Sequence, residues 1–141
     1  MGILDNIKGN LNEYGTHEGR ITRRTYILRV VGRWIAEIVF GIWAALLMFL
    51  IYILALLISS EPMIGAVLAT PIVFAFSIIF FFLKLVQEMK RLHDMNSSGW
   101  GVIFGFIPLV NIIYYLLLIL SDGTVGPNRY GEDPKGRKRN E

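Results

Sequence analysis

Three long apolar runs, separated by short polar stretches, set the pattern of hydrophobic and polar positions along the chain. They cover residues 34–58, 63–83 and 100–120. An α-helix needs roughly 20 apolar residues to cross the hydrocarbon core of a bilayer, and each run is of that order. The pattern therefore predicts an all-α membrane protein with three apolar helices.

The first helix is predicted over residues 22–58, with Thr22 as its N-cap, because a threonine hydroxyl can accept a hydrogen bond from a backbone N–H of the first turn. Its apolar run holds one charged residue, Glu37. A carboxylate is costly at the centre of a bilayer, but Glu37 lies one turn from Arg33 at the basic end of the run. An ion pair between Arg33 and Glu37 is expected rather than a proton site.

The second helix is predicted over residues 62–94, with Pro62 at its first position and a kink at Pro71. Its apolar part ends at Leu83, and an amphipathic stretch follows. A helix of this length measures about 48 Å, against about 30 Å for the hydrocarbon core. Its last turns are therefore expected to project into water as a cytoplasmic extension.

The third apolar helix is predicted over residues 99–120 and contains Pro108 and Asn111. Two arrangements are open: a complete span, kinked at the proline, and a re-entrant hairpin that folds back near Pro108. The complete span is favoured, because a hairpin exposes backbone polar groups to lipid unless other helices cover them. The side chain of Asn111 is expected to donate a hydrogen bond to a carbonyl that Pro108 leaves without a donor, or to bond to a neighbouring helix.

The two ends of the chain are expected to lie outside the bilayer core. Residues 2–14 carry apolar side chains on one helical stripe and polar side chains on the other, which predicts an amphipathic helix in the membrane interface. Residues 121–141 are rich in turn-forming and basic residues, which predicts a turn-rich tail. A solvated tail is the expectation, and binding of the tail to anionic headgroups is the alternative.

Composition narrows the class of protein. Of the 141 residues 54% are hydrophobic, too many for an ordinary soluble domain, and the length suits a single membrane domain. The chain has no cysteine and two histidines, so disulfides, thiolate nucleophiles and a protein-only zinc site are not expected. No metal, other cofactor or catalytic residue is expected.

The basic residues predict the orientation of the chain. Of the 14 lysines and arginines, 6 precede the first apolar run, none lies in the turn at residues 59–62, 3 lie in the link at residues 84–99 and 5 lie in the tail. With three complete spans, the positive-inside rule places the N-terminus in the cytoplasm. A re-entrant third run would place every basic segment on the cytoplasmic side. The net charge of +3 is explained by basic residues that orient the chain in the membrane, so nucleic acid is not expected as a partner.

Three motifs flank the apolar runs. Residues 19–26 read GRITRRTY, residues 90–94 read KRLHD and are followed by SGW at 98–100, and the tail contains DGT at 122–124, GPNRYG at 126–131 and DP at 133–134. With these motifs in this order, the chain resembles over essentially its whole length the bacterial inner-membrane family called domain of unknown function 805. It departs from the family at Ile27, Ser97 and Gly101, where the family usually has Trp, Arg and Trp. The resemblance implies a small polytopic inner-membrane protein and implies no activity.

The residues of these motifs are the candidates for a shared role. They are Arg20, Arg23, Tyr26, Arg91, His93, Asp94, Gly99, Trp100, Gly126, Asn128, Arg129 and Tyr130. A structural lattice of ion pairs is the favoured hypothesis, with Asp94 capping backbone donors or paired with Arg20 or Arg23. Recognition of an anionic headgroup or a partner is the second. Catalysis by His93 and Asp94 is the third and is disfavoured, because adjacent residues of a helix point about 100° apart.

Three classes of function remain open for such a protein. Ion-coupled transport generally needs ionisable groups at depth, and apart from Glu37 the three runs contain no Asp, Glu, Lys, Arg or His. An oligomeric transporter or channel is therefore an alternative. A membrane enzyme that uses the polar residues around His93 and Asp94 is a second alternative. The predicted function is a non-enzymatic module that binds a lipid or a protein partner. The expected partners are the bilayer with its anionic headgroups, a second copy of the chain or another membrane protein.

Overall fold

The described part of the chain is helical. The computed structural model describes residues 16–58 and 63–138. Its elements are α1 (Arg23–Ile58), α2 (Met63–Asp94), a 3₁₀ helix (Gly99–Phe106) and α3 (Val110–Leu120). No strand forms within these ranges, which confirms the predicted all-α class. The predicted interfacial helix at residues 2–14 lies outside the described residues.

Helix α1 begins where the sequence predicts it. Thr22 precedes the helix, and its Oγ1 accepts a hydrogen bond of 3.1 Å from the backbone N–H of Thr25, as an N-cap does. Further along, Nη1 of Arg33 lies 2.5 Å from Oε1 of Glu37. The ion pair expected between these neighbouring turns is therefore present.

The chain divides into two compact units, of which one comprises Val31–Phe82. Inside this unit Phe40 of α1 stacks on Phe76 of α2, with ring centroids 4.4 Å apart. Many of its other large apolar side chains are exposed, as on a surface that faces lipid. Helices α1 and α2 are both long and apolar enough to cross a membrane, and α2 continues through Pro71 without a break.

The third apolar run does not form one helix. The 3₁₀ helix ends at Phe106 and α3 begins at Val110, and Leu109 between them has a φ of 66°. The prediction of one continuous helix over residues 99–120 is therefore wrong, because two shorter helices form there. Pro108 is the cause, since proline lacks an N–H and disfavours helical dihedrals in the residue before it. That residue, Ile107, is extended, with φ −90° and ψ 116°.

Both ends of this broken run lie at the C-terminal end of α2. Where the run starts, a Cβ placed on Gly99 would lie 3.1 Å from Nε2 of His93. Where it ends, Nε of Arg91 donates a hydrogen bond of 2.9 Å to the carbonyl of Leu118. The run therefore leaves the end of α2 and returns to it. Helix α3 has 11 residues, which gives it a length of about 16 Å, roughly half the thickness of a hydrocarbon core.

A small apolar core lies in the other unit, which comprises the described residues up to Val30 and from Leu83 onward. Its buried members are Ile21, Tyr26, Leu92, Tyr114 and Leu118. These side chains join the start of α1, the end of α2 and α3. The core thereby places the polar residues beside it, which come from three distant parts of the sequence.

Candidate functional site

The carboxylate of Asp94 lies at the centre of a buried polar cluster. Its side chain is buried, and its Oδ1 accepts a hydrogen bond of 3.2 Å from Nε of Arg20. Its Oδ2 accepts one of 2.5 Å from Nη1 of Arg91. Two guanidinium groups therefore neutralise one carboxylate, and the pairing of Asp94 with Arg20 that the sequence suggested is present.

Arg91 joins the end of α2 to the end of α3. It is fully buried, and besides Asp94 it reaches two backbone carbonyls. Its Nε donates to Leu118 at 2.9 Å, and its Nη2 donates to Ser121. The last carbonyls of a helix have no partner within the helix, so Arg91 caps α3 from another element. The local sequence of α3 gives no signal of this cap.

Arg20 holds the tail in place. Its Nη1 donates to the carbonyls of Gly126 at 2.8 Å and Gly131 at 3.2 Å, and its Nη2 donates to the carbonyl of Thr124 at 2.7 Å. Gly126 has a φ of +77°, which glycine adopts without strain. The guanidinium thus fixes a loop about a hundred residues away in sequence, because its fork of donors fits several carbonyls at once.

The tail also binds the backbone of the last turn of α2. The N–H of Thr124 donates to the carbonyl of Asp94 at 2.9 Å, and Nδ2 of Asn128 donates to the carbonyl of His93 at 2.9 Å. The ring of Tyr130 stacks on the ring of His93, with centroids 3.9 Å apart and planes 7° from parallel. His93 and Asp94 therefore have different partners, as expected for adjacent residues of one helix.

The remaining predicted site residues occupy different surroundings. Arg23 donates to the carbonyl of Leu120 at 3.1 Å, and Tyr26 is buried in the apolar core. Glu37 belongs to the other compact unit. Asn111 lies in the first turn of α3, where its backbone N–H donates to the carbonyl of Ile107 at 2.9 Å. The cluster at the end of α2 thus includes neither of the two predicted intramembrane polar residues.

A second charged cluster, which the sequence analysis did not identify, orders the tail. Asp133 accepts hydrogen bonds from the N–H of Gly126 at 3.1 Å and from Nε of Arg137 at 2.8 Å. Asp122 accepts from Nζ of Lys135 at 2.5 Å and from Nη1 of Arg137 at 3.2 Å. These contacts hold the described part of the tail together.

Both carboxylates of this cluster titrate well below their usual range. The hydrogen bond from Lys135 is the main reason that the pKa of Asp122 falls to about 2. Burial would raise the pKa of Asp133, but hydrogen bonds from Arg137 and from two backbone N–H groups outweigh burial and lower that pKa to about 2.

The lowered pKa values of Asp122 and Asp133 predict how the fold of the tail depends on pH. A carboxylate with a lower pKa in the folded state stabilises that state above about pH 4, and the contribution is lost as the pH falls towards about 2. A spin label at Lys138→Cys is therefore expected to keep its mobility from pH 7 to about 4 and to become mobile below that. With Asp133→Asn added, the label should be mobile already at pH 7, while a label at Leu28→Cys in α1 should not respond. An unchanged spectrum down to pH 2 would contradict the assignment.

A cavity of about 740 Å³ opens beside His93. It is lined by residues 17–19, by Met89 and His93 of α2, by residues 98–100 and Val102, and by residues 129–130. The His93 side chain is 6% exposed, and its Nδ1 has no hydrogen-bond partner among the described residues. Trp100, at 79% exposed, presents its indole at the same place. Within the described ranges no group of three or more His, Asp or Glu residues could hold a metal ion.

The fold and the site define a small helical membrane protein in which a buried arginine–aspartate cluster ties a folded tail to the end of a long apolar helix. The chain belongs to the family described as "Protein of unknown function (DUF805)", whose model matches residues 14–132. This match confirms the family expected from the motifs.

Two relatives carry names that describe their location. The chain is 42% identical over 52 residues to "Inner membrane protein YhaI" of Escherichia coli strain K12, a match that covers 36% of this chain and 43% of that protein. It is 35% identical over 48 residues to "Inner membrane protein YhaH" of the same strain, covering 34% of this chain and 40% of that protein. The matches thus span less than half the length of these relatives. No solved structure matches the chain.

Proposed function

We propose that this protein is a non-enzymatic module of the bacterial inner membrane that binds a phospholipid headgroup at the water boundary. The observation that carries the proposal is the cavity beside His93, which lies at the end of an apolar helix and has aromatic and cationic side chains in its lining. The names of the two relatives support the inner membrane as the location. Headgroup sites combine a place at the interface with aromatic and basic side chains in this way.

The use of charge within the fold also favours binding over catalysis. Arg20 and Arg91 each bind the carboxylate of Asp94 and also donate to backbone carbonyls, so these charges stabilise the fold. A general acid or base must instead reach a substrate atom from a pocket. His93 lines the cavity, but its ring stacks on Tyr130 while the adjacent carboxylate pairs with arginine. The arrangement therefore lacks the base–carboxylate pair of a proton relay at this position.

A thermal-stability measurement tests the proposed function. A ligand that binds the folded state at about 100 times its Kd stabilises that state by about 2.7 kcal/mol. Protein that has been stripped of lipid in detergent is therefore expected to unfold at a higher temperature after phospholipid is added back. Diacylglycerol, which has the same acyl chains and no headgroup, should leave the midpoint unchanged. No shift with either lipid would favour a protein partner as the ligand, and an equal rise with both would show that the acyl chains are bound without the headgroup.

We propose further that α1 and α2 span the membrane and that the run at residues 99–120 is a re-entrant hairpin. Its two ends both lie at the C-terminal end of α2, which supports this topology over a complete third span. All 14 basic residues would then lie on the cytoplasmic side, 6 before the first span, 3 after the second and 5 in the tail. The positive-inside rule favours this distribution.

Single cysteines test the topology, since the chain has none of its own. A membrane-impermeant maleimide added to cells is expected to label Ser60→Cys from the periplasm. Ser97→Cys and Lys138→Cys should become labelled only after the membrane is permeabilised. Labelling of Lys138→Cys together with Ser60→Cys in intact cells would instead establish a complete third span.

A further inference from the structure

The cavity beside His93 has the size and position of a ligand site. Its volume of about 740 Å³ lies within the range of roughly 300–1,000 Å³ found for small-molecule sites. Its walls come from four separate segments: the residues before α1, the last turns of α2, the turn into the 3₁₀ helix, and the tail. Such a cavity exists only when the tail is folded against α2, so the polar cluster around Asp94 supports it.

One wall of the cavity offers cationic donors. Arg129 lies with its Cζ 4.7 Å from the ring centroid of Tyr130, and its Nη2 donates to the carbonyl of Asn96 at 3.2 Å. A guanidinium has five N–H donors in a planar fork that matches two oxygens of a phosphate. Its stacking on tyrosine holds the plane of that fork in place. Arg129 can therefore give further hydrogen bonds to a phosphate in the cavity.

His93 supplies a rigid aromatic wall. The residue is more than nine-tenths buried, and the parallel ring of Tyr130, 3.9 Å away, fixes the plane of its imidazole. Its Nδ1 has almost no accessible surface, so His93 gives the cavity its shape and the polar contacts of a ligand fall to other residues of the lining.

Glu18 limits what that ligand can be. Its carboxylate belongs to the same lining as Arg129, so a ligand that carries only negative charge would be repelled by it. A ligand with a phosphate and a nearby ammonium would satisfy both charges. The apolar side chains of Met89, Trp100 and Val102 complete the lining and suit a glycerol backbone with the first atoms of acyl chains.

We propose that this cavity binds a phosphoethanolamine group, with the phosphate on Arg129 and the ammonium on Glu18. The inference rests on the proposed lipid-binding function and names the headgroup class for it. The same chemistry occurs in phosphatidylethanolamine and in soluble glycerophosphoethanolamine. Trp100 lies in the lining and can report on occupancy of the cavity.

The test uses full-length protein with Trp34→Phe and Trp43→Phe, so that Trp100 is the only tryptophan. Its fluorescence in detergent is titrated with short-chain phosphatidylethanolamine, with phosphatidylglycerol of the same chain length, and with glycerophosphoethanolamine. We expect a saturable change with both ethanolamine compounds and binding of phosphatidylglycerol at least about ten-fold weaker, since the ammonium–carboxylate pair is lost. Arg129→Gln should weaken binding of every phosphate ligand by about ten-fold or more.

Glu18→Gln is the decisive variant. It should abolish the preference for ethanolamine over glycerol, because the group that pairs with the ammonium is gone. Arg24→Gln and Glu132→Gln, both at exposed positions, are matched controls and should leave all affinities unchanged. Unfolding midpoints equal to that of the parent protein establish that Glu18→Gln and Arg129→Gln remain folded.

The outcomes separate the two proposals. Equal affinities for both phospholipids, or a preference that survives Glu18→Gln, would overturn the phosphoethanolamine site while leaving lipid binding intact. Binding of glycerophosphoethanolamine without phosphatidylethanolamine would support the cavity chemistry, assign a soluble ligand to it and contradict the lipid-binding function. No response to any of the three compounds would overturn the inference.

Discussion

Arg91→Met is expected to destabilise the folded protein by about 3–5 kcal/mol, because each carbonyl left without its donor costs about 1–3 kcal/mol and Asp94 loses one of its two partners. Arg91 is fully buried and binds Asp94 together with the carbonyls of Leu118 and Ser121. Methionine fills a similar volume but donates no hydrogen bond. The change would leave two carbonyls without their donor and the carboxylate with Arg20 alone.

The midpoint of unfolding in detergent measures this effect. Arg24→Met is the matched control, because it removes the same charge from an exposed position near the start of α1 and should shift the midpoint little. Arg91→Lys should also be strongly destabilising, since a lysine ammonium cannot reproduce the planar fork that reaches three acceptors. A midpoint for Arg91→Met equal to that of the control would show that α3 needs no cap from α2.

Gly123→Ala is expected to detach the tail from the end of α2. A Cβ at Gly123 would lie 2.0 Å from Oδ2 and 2.5 Å from Cγ of Asp94, far inside van der Waals contact. The carboxylate is short and is held by Arg20 and Arg91, so it cannot move aside. Overpacking of this kind costs about 1–3 kcal/mol or more, and displacement of the tail is the remaining way to relieve it.

Limited trypsin digestion measures the release of the tail. Cleavage after Lys135 and Arg137 should become about ten-fold faster or more in Gly123→Ala, because cleavage of a transiently open segment follows the free energy of opening. Gly32→Ala is the matched control, since a Cβ at Gly32 meets nothing within 4 Å and alanine is the better helix former. Equal cleavage rates in the two variants would show that the contact between Gly123 and Asp94 is not needed to hold the tail.

The variants at Arg91 and Gly123 are expected to act through the fold, whereas a variant at Glu18 is expected to act on binding alone. Both act on the polar cluster around Asp94, whereas the proposed ligand contacts are Arg129 and Glu18. Loss of the tail contact in Gly123→Ala removes one wall of the cavity and should therefore abolish ligand binding. Substitution of Glu18 should change ligand preference at unchanged stability, because Glu18 is exposed and outside that cluster.

Features that depend on neighbouring residues could be predicted from the sequence. The length and apolar character of the first two runs predicted α1 and α2, because each helix satisfies its own backbone and needs only a hydrophobic surface of sufficient length. Thr22 and the pair Arg33–Glu37 were predicted for the same reason, since their contacts lie within one turn. The motifs also identified the family, which the match over residues 14–132 confirms.

The structure alone decided which distant residues meet. Arg20 and Asp94 are 74 positions apart, and no periodicity distinguished Arg20 from Arg23 as the partner of that carboxylate. The cap that Arg91 gives α3, the cluster of Asp122 and Asp133 in the tail, and the return of the third run to the end of α2 depend on the same folding of remote segments. Local pattern fixes helices through bonds between near neighbours, whereas buried charges are paired by packing that joins segments far apart in the chain.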